Sequence, residues 1–293
     1  MPTETPDPVA EMLAVLDIES AGARTASDVF TARSQWMPQG RIFGGQVLAQ
    51  TVVAAQRTLP AERAIHSLHG YFLRPGDLDL PITLEVDRIH DGRSFSTRRT
   101  QAYQDGQPIF SMIASFQDDD PGLDHQAPMP EGLPDPETLA SAEEQLASFE
   151  EQRTWFWAKN AFDIRHVDTP LWLGGGKDRV AHQVVWLRAK RRLPDDPLLH
   201  RAVFAYASDL TILESTLRRH GIPWATPGMR IASLDHAMWW HRPGRADEWF
   251  AYVEEAPNAI GGRGLSLGRI YAQDGTLIAS VAQEGMIRVP AAG

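Results

Sequence analysis

Gln104-Asp-Gly-Gln-Pro-Ile-Phe-Ser111 returns as Gln273-Asp-Gly-Thr-Leu-Ile-Ala-Ser280, 169 residues further on, with five identities in eight. Upstream of each copy, Ile65-His-Ser-Leu-His-Gly-Tyr-Phe-Leu-Arg-Pro-Gly76 returns as Ile231-Ala-Ser-Leu-Asp-His-Ala-Met-Trp-Trp-His-Arg-Pro-Gly244, with two residues inserted in the second. Matches that keep their order over this length indicate an internal duplication.

The first copy shows what the repeated unit is. Val47 to Leu59 is helical in length and apolar on most faces, so it should be buried, and Pro60 ends it. Four β-type runs follow: Ala64–Leu73, Pro81–Ile89, Ser94–Tyr103 and Pro108–Gln117. They alternate apolar and polar residues and are separated by the turn signals Arg74-Pro-Gly-Asp77, Asp91-Gly92 and Asp105-Gly106. One buried helix with a meander of antiparallel strands is an α+β unit. Ahead of it, Pro8–Leu16 reads as a short amphipathic helix and residues 17–36 as extended or looping chain. In the second copy, Phe162–Val167 and Val180–Arg188 read as strands preceding the helix. The duplication divides the chain into residues 1–117, a linker at 118–154 and residues 155–293. The linker is acidic and broken by prolines, with a surface helix expected from Glu137 to Arg153.

Composition narrows the function classes. At 293 residues with 43% hydrophobic residues, 9 Trp and 11 Phe, the chain has ample material for a core. A net charge of −10 argues against a nucleic-acid surface, which needs a basic face. Without cysteine there is no disulfide, thiolate catalysis or thiolate metal site. The sequence shows no secretion signal, no peroxisomal C-terminal address and no apolar run long enough to insert in a membrane, so a soluble cytoplasmic protein is expected.

Chemistry is sought where the copies differ. In Val203-Phe-Ala-Tyr-Ala-Ser-Asp-Leu-Thr-Ile-Leu-Glu-Ser-Thr-Leu217 an apolar run leads into Asp209, expected to open the long helix that stops at His220-Gly221. A lone carboxylate there is costly to desolvate unless it is paired or used. The bland alternative is that Ser208 or Asp209 caps a helix N-terminus. Against the first copy, Asp209 falls opposite Gln46, Ser233 opposite Ser67 and Gln283 opposite Ala114. The second half thus assembles a carboxylate, a hydroxyl and an amide. Each alone has an ordinary structural explanation; all three together call for more.

Phe43-Gly-Gly-Gln46, His66-Ser-Leu-His-Gly-Tyr-Phe-Leu-Arg-Pro-Gly76, Asp91-Gly-Arg-Ser-Phe-Ser-Thr-Arg-Arg99, Ala114-Ser-Phe-Gln117, Ala207-Ser-Asp209, Leu234-Asp-His-Ala-Met-Trp-Trp-His-Arg-Pro243 and Gln283-Glu-Gly-Met-Ile-Arg288 resemble the type II acyl-CoA thioesterases. The resemblance runs from about residue 10 to 288 and implies a double hotdog, with two long central helices each wrapped by a curved antiparallel sheet. It implies hydrolysis of acyl-CoA to a carboxylic acid and coenzyme A by a water that Asp209, Ser233 and Gln283 orient and activate. The family often has Thr where this chain has Ser233, which keeps the hydroxyl and loses a methyl. A thioester is electrophilic and its thiolate leaves readily, so a held water, a base and oxyanion donors suffice. Gly44, Gly45, Gln46 and His66 are candidate substrate-binding residues, the glycines because they let a backbone approach closely. No cofactor or metal is expected beyond the coenzyme A of the substrate, and self-association as a homodimer or homotetramer is.

Other motifs are weaker. Gly264-Leu-Ser-Leu-Gly268 matches a nucleophile-elbow pattern but should lie mid-strand, without the required strand-to-helix turn. Gly174-Gly-Gly-Lys177 lacks the rest of a phosphate loop, and His236 and His241 should point to opposite faces of a strand, a poor metal pair. Arg188-Ala-Lys-Arg-Arg192 could meet the coenzyme A phosphates or be a solvated strand end, and Trp155, Trp157 and Trp172 could line an acyl tunnel or pack a core. The rival functions are a hotdog hydratase or dehydratase, and a non-catalytic acyl-CoA binder. The hydratase pattern wants a His five residues after the Asp, where this chain has Glu214.

Overall fold

The computed structural model describes residues 7–21, 27–38, 40–149, 160–174 and 178–290. Its helices are α1 (Pro8–Leu16), α2 (Gly44–Gln56), α3 (Ala142–Leu146), α4 (Pro197–Ser208) and α5 (Glu214–His220). The strands of the first half are β1 (Glu19–Ala21), β2 (Asp28–Ala32), β3 (Ala64–Phe72), β4 (Ile82–Asp91), β5 (Phe95–Gln104) and β6 (Gln107–Gln117). Those of the second are β7 (Phe162–His166), β8 (His182–Ala189), β9 (Arg230–Ser233), β10 (Asp235–Trp240), β11 (Phe250–Ile260), β12 (Arg263–Ala272) and β13 (Leu277–Arg288).

All thirteen strands form one antiparallel sheet, in the order β1-β2-β4-β5-β6-β3-β10-β13-β12-β11-β8-β7, with β9 paired to β13. The order reads almost the same from either end, as a duplicated unit joined to its copy must. The joint is β3 against β10, where Leu68 faces Met238. Residues 17–36, expected as extended or looping chain, supply β1 and β2; β2 pairs with β4 and β1 with β2, which extends the first half to its edge. The Asp105-Gly106 turn has both residues at positive φ, 47° and 70°, the primed geometry that suits a two-residue hairpin.

Helix α2 is buried along almost its whole length, including Gln46, Gln50 and Thr51 at 0% exposure. The second half departs from the expected long helix. The apolar run Val203–Ala207 is itself the end of α4, and Asp209 is that helix's C-cap. The chain then turns through Leu210–Leu213 before α5, which Gly221 stops in the left-handed region at φ 63°. Two side chains hold the break. The Tyr252 hydroxyl donates to the Ser208 carbonyl at 2.9 Å, satisfying a group a helix end leaves unpaired, and Thr211 Oγ1 bonds the Glu254 carboxyl. Neither Ser208 nor Asp209 is an N-cap: α4 is capped by Asp196, whose side chain accepts from Leu198 N at 2.9 Å.

Among the described linker residues the expected surface helix is represented by a 3-10 turn at Pro136–Thr138 and by α3; residues 150–153 of that expectation lie outside the described residues, as do Trp155 and Trp157. Met129, Leu133 and Leu139 pack on a small second core of Trp186, Trp249, Ala251, Tyr271 and Leu277. Arg188 and Arg165 stack over the Trp249 ring at 4.2 and 5.0 Å. The linker therefore straps the outside of the second half of the sheet. Trp172 packs against the main core and donates to Gln145 Oε1 at 3.0 Å.

Candidate active site

Three elements converge on Asp209. Ser233, at the end of β9, donates from Oγ to Asp209 Oδ1 at 2.9 Å. Gln283, on β13, donates from Nε2 to the same Oδ1 at 2.8 Å and to Ser233 Oγ at 2.9 Å. A register change is what brings the hydroxyl inward. Along β10 the pairing runs Ala237↔Ala282 and Met238↔Val281, whereas on β9 Ser233 faces Gly285, one residue out of step. Opposed residues share a face, so the slip at Leu234 turns Ser233 to the same side as Gln283 and Gly285. Continuing the β10 register by one residue sets His236 opposite Gln283.

The third element is α2, whose first turn faces the other carboxylate oxygen. A Cβ on Gly44 would lie 2.7 Å from Asp209 Oδ2, and one on Gly45 would lie 2.4 Å from the Tyr206 carbonyl oxygen. The bare backbone is what lets α2 approach α4 this closely. The Gly45 N–H favours the ionised carboxylate. Asp209 thus stands at the unfavourable C-terminal end of its own helix and faces the positive N-terminal end of its neighbour. Desolvation pushes its pKa up to about 6, against the hydrogen bonds of Gln283, Ser233 and Gly45. The other titratable groups felt here, the phenols of Tyr206 and Tyr252, are raised by burial and stay neutral.

The remaining candidates separate. Gln46 is fully buried: Oε1 accepts from Gln35 N at 2.9 Å, and Nε2 reaches Arg33 O at 3.2 Å and Gln50 Oε1 at 3.4 Å. Its amide is engaged at both ends in holding residues 33–35. His66 bonds Ser115 Oγ at 2.9 Å and meets the edge of Phe95. Phe72 N binds Leu234 O beside Ser233, and His66 lies six residues away along β3, roughly 20 Å from that point. Burial and then Arg201 lower its pKa. Ser266, of the elbow-like pattern, is buried mid-strand in β12 against Ser215 and Thr216. His241 lies outside, bonded to Ser280 Oγ.

His236 was read only as a poor metal ligand, yet it sits inside the site, 1% exposed. Its Nδ1 bonds Gln283 Oε1 and its Nε2 lies 3.0 Å from Ser208 Oγ. A signal was available. Aligned backward from Arg-Pro-Gly without a gap, His236 falls opposite Leu68, a histidine where the first copy has a leucine.

A buried polar network anchors the loop after Asp209. Gln183 Nε2 bridges Glu214 Oε2 at 3.0 Å and Glu254 Oε2 at 2.7 Å, while Glu214 also receives His166 at 2.7 Å and Trp224 Nε1 at 2.7 Å. Burial works to raise Glu214, but His166, Trp224 and Gln183 outweigh it and hold its pKa below the ordinary range. Burial, with Glu214 adding to it, pushes Glu254 up to about 8. Glu254 therefore keeps its proton at neutral pH. A carboxyl whose folded pKa lies above its unfolded value contributes stability below about pH 4.5 that is lost as pH rises through 8. Glu254→Gln, which keeps shape and hydrogen bonds, is expected to raise stability at pH 8 by on the order of 2 kcal/mol and to change little at pH 5. Thermal unfolding at the two pH values checks this; an equal effect at both would contradict it.

The chain matches the family model described as acyl-CoA thioesterase over residues 156–286 and that of the acyl-CoA thioesterase N-terminal domain over residues 32–117. It is 39% identical to "Acyl-coenzyme A thioesterase 8" of Homo sapiens over 274 residues, 89% of this chain and 85% of that protein. The chain belongs to the type II acyl-CoA thioesterase family. Among solved structures, acyl-CoA thioesterase II TesB2 from Mycobacterium marinum superposes with a TM-score of 0.78 at 39% identity, covering 96% of this chain and 99% of that one. A protein with a hot dog fold from Alicyclobacillus acidocaldarius, 17% identical, gives 0.76 over 95% and 98% and shows the fold alone. The two family models fall on the two halves of the duplication. This thioesterase is accordingly a thioester hydrolase with a double-hotdog sheet.

Proposed function

We propose that this thioesterase hydrolyses acyl-CoA by a water activated directly at Asp209, without a covalent intermediate. One observation carries the reading: Asp209 Oδ1 is saturated by Ser233 and Gln283, while Oδ2 faces the Gly44-Gly45 turn. Both amide hydrogens of Gln283 and the hydroxyl hydrogen of Ser233 are engaged within the trio. They therefore aim the carboxylate, and the water is taken at Oδ2. The water oxygen bonds the thioester carbon as its proton passes to Asp209. The tetrahedral oxyanion is best placed at the α2 N-terminus, where helix dipole and N–H groups favour negative charge. Its collapse breaks the C–S bond, and the thiolate of coenzyme A takes up the proton held by Asp209, which returns to its ionised form. The route uses only these side chains and water.

A pKa near 6 suits the base, which is ionised at neutral pH and retains driving force for proton transfer. The rate should therefore be constant above about pH 7 and fall tenfold per pH unit below about pH 6 as Asp209 is protonated. The test is release of free thiol from a panel of acyl-CoAs, followed chromogenically across that pH range. Binding without thiol release would favour the non-catalytic binder. The hydratase reading is opposed by geometry, since Glu214 is buried in its own network and the one histidine at the site bonds Gln283 and Ser208. Self-association as a homodimer or homotetramer and a cytoplasmic setting complete the proposal. No helix among the described residues is long and apolar enough to cross a membrane.

A further inference from the structure

We propose that His236, backed by Ser208, is a positioning residue that locks the Gln283 side-chain amide in the one orientation in which it can serve Asp209. The inference rests on the assignment of Asp209, Ser233 and Gln283 as the reacting site.

A side-chain amide has two ends of nearly equal shape and opposite hydrogen-bonding character. With Nε2 toward Asp209, Gln283 donates to Oδ1 and to Ser233 Oγ. Rotated by half a turn, it would present a carbonyl oxygen to a buried carboxylate. The correct orientation leaves Gln283 Oε1 needing a donor, and the group in contact with it is His236 Nδ1. That nitrogen must therefore carry the hydrogen.

The imidazole is neutral, because burial drives its pKa down to about 4 in spite of the Gln283 contact. With the proton on Nδ1, Nε2 is a bare acceptor. Ser208 Oγ lies 3.0 Å from it and supplies a hydrogen. The Ser208 oxygen also sits 2.9 Å from the Ala205 carbonyl, but one hydroxyl proton cannot serve both. The chain Ser208 O–H to His236, His236 N–H to Gln283, and Gln283 N–H to Asp209 then runs in a single direction. Reversing any member leaves a donor facing a donor or an acceptor facing an acceptor in a buried place, which is costly.

The two copies of the repeat make the same point. By strand register His236 stands opposite Gln283 where the first copy pairs Leu68 with Ala114, so the histidine is present in the copy that has an amide to orient. The slip at Leu234 that turns Ser233 inward has its counterpart in the first copy at His66, between the pairs Ile65↔Phe116 and Ser67↔Ser115.

His236→Leu removes the donor and keeps most of the volume; His236→Asn restores an N–H close to the Nδ1 position. For the leucine variant the expected result is a kcat lower by roughly 10–100-fold, KM within about threefold, and an acid limb of kcat moved to higher pH, because Asp209 loses a hydrogen bond that lowers its pKa. The asparagine variant should recover most of kcat and return the limb. Leucine at wild-type kcat, or a loss that asparagine does not rescue and that leaves the acid limb in place, overturns the proposal. Should the leucine variant fail to fold, Ser208→Ala carries the test. It frees the ring to take the other tautomer and should lower kcat by about 3–10-fold with the limb shifted the same way; no shift overturns the proposal. Nitrogen NMR of histidine-labelled wild-type protein needs no turnover. His236 should be neutral and protonated on Nδ1 from about pH 5 to 8, and the other tautomer or an imidazolium overturns the proposal. Absence of thiol release by the wild type would instead count against the reading of the reaction itself.

Discussion

Asp209→Asn is expected to lower kcat by at least about 10³-fold while the protein folds and, at pH 8, becomes more stable. The asparagine can place its carbonyl oxygen where Oδ1 is, accepting from Ser233 and Gln283, which keeps the trio's geometry. Its amide nitrogen then occupies the Oδ2 position, where the water must give up a proton. An amide there is a donor and no base. The stability gain has the opposite origin. Burial raises the Asp209 carboxyl to about 6, so the folded state holds the proton more tightly than the unfolded chain, and stability is lost as pH rises from about 4 through 6. A neutral isostere escapes this loss. The expected gain is about 1–2 kcal/mol at pH 8 and little at pH 4. Thiol-release kinetics and thermal unfolding of the same preparation measure both. Turnover near that of the wild type would rule out Asp209 as the base.

Gly45→Ala should be the most damaging of the small substitutions. Its Cβ would come within 2.4 Å of the Tyr206 carbonyl oxygen and 2.5 Å of the Phe43 ring. A backbone oxygen inside α4 cannot swing aside, so α2 and α4 would have to part, at a cost of about 3 kcal/mol. Gly44→Ala meets a different neighbour. Its Cβ would stand 2.7 Å from Asp209 Oδ2 and 3.0 Å from the Phe72 ring, side chains that can move. Stability should fall less, but the carboxylate leaves its place, and kcat should drop by roughly 10²-fold. The contrast is the measurement: unfolding midpoints separate Gly45→Ala from wild type, and kcat separates Gly44→Ala. Two variants alike in both quantities would mean that the glycines do not set the approach of the helices.

The duplication, the α+β character and the three polar residues of the second half could be read from the chain alone, because each rests on local pattern; that β3 lies beside β6 and not β4, as a simple meander would have it, could not. Strand alternation has a fixed period of two, turn glycines mark their own turns, and an internal repeat is a comparison of the sequence with itself. The path of the chain around Asp209 could not. The run Val203–Leu217 has helical pattern throughout, and nothing local says that Tyr252 and Glu254, more than 40 residues away, will bond Ser208 and Thr211 and break it. Gln46 was drawn toward the substrate by its place opposite Asp209, whereas the segment at residues 33–35 claims its amide. His236 looked idle because a strand period speaks of faces and not of the slip at Leu234.

By itself, then, the sequence determined that two like halves exist and that the second holds a carboxylate, a hydroxyl and an amide. Only the tertiary structure decided that Asp209 ends one helix and faces the start of another, and that Gln283 is held by a histidine. The reason is physical: the pattern of a chain records which face each residue prefers, whereas the pKa of a buried acid and the orientation of an amide depend on the atoms that other segments bring against them.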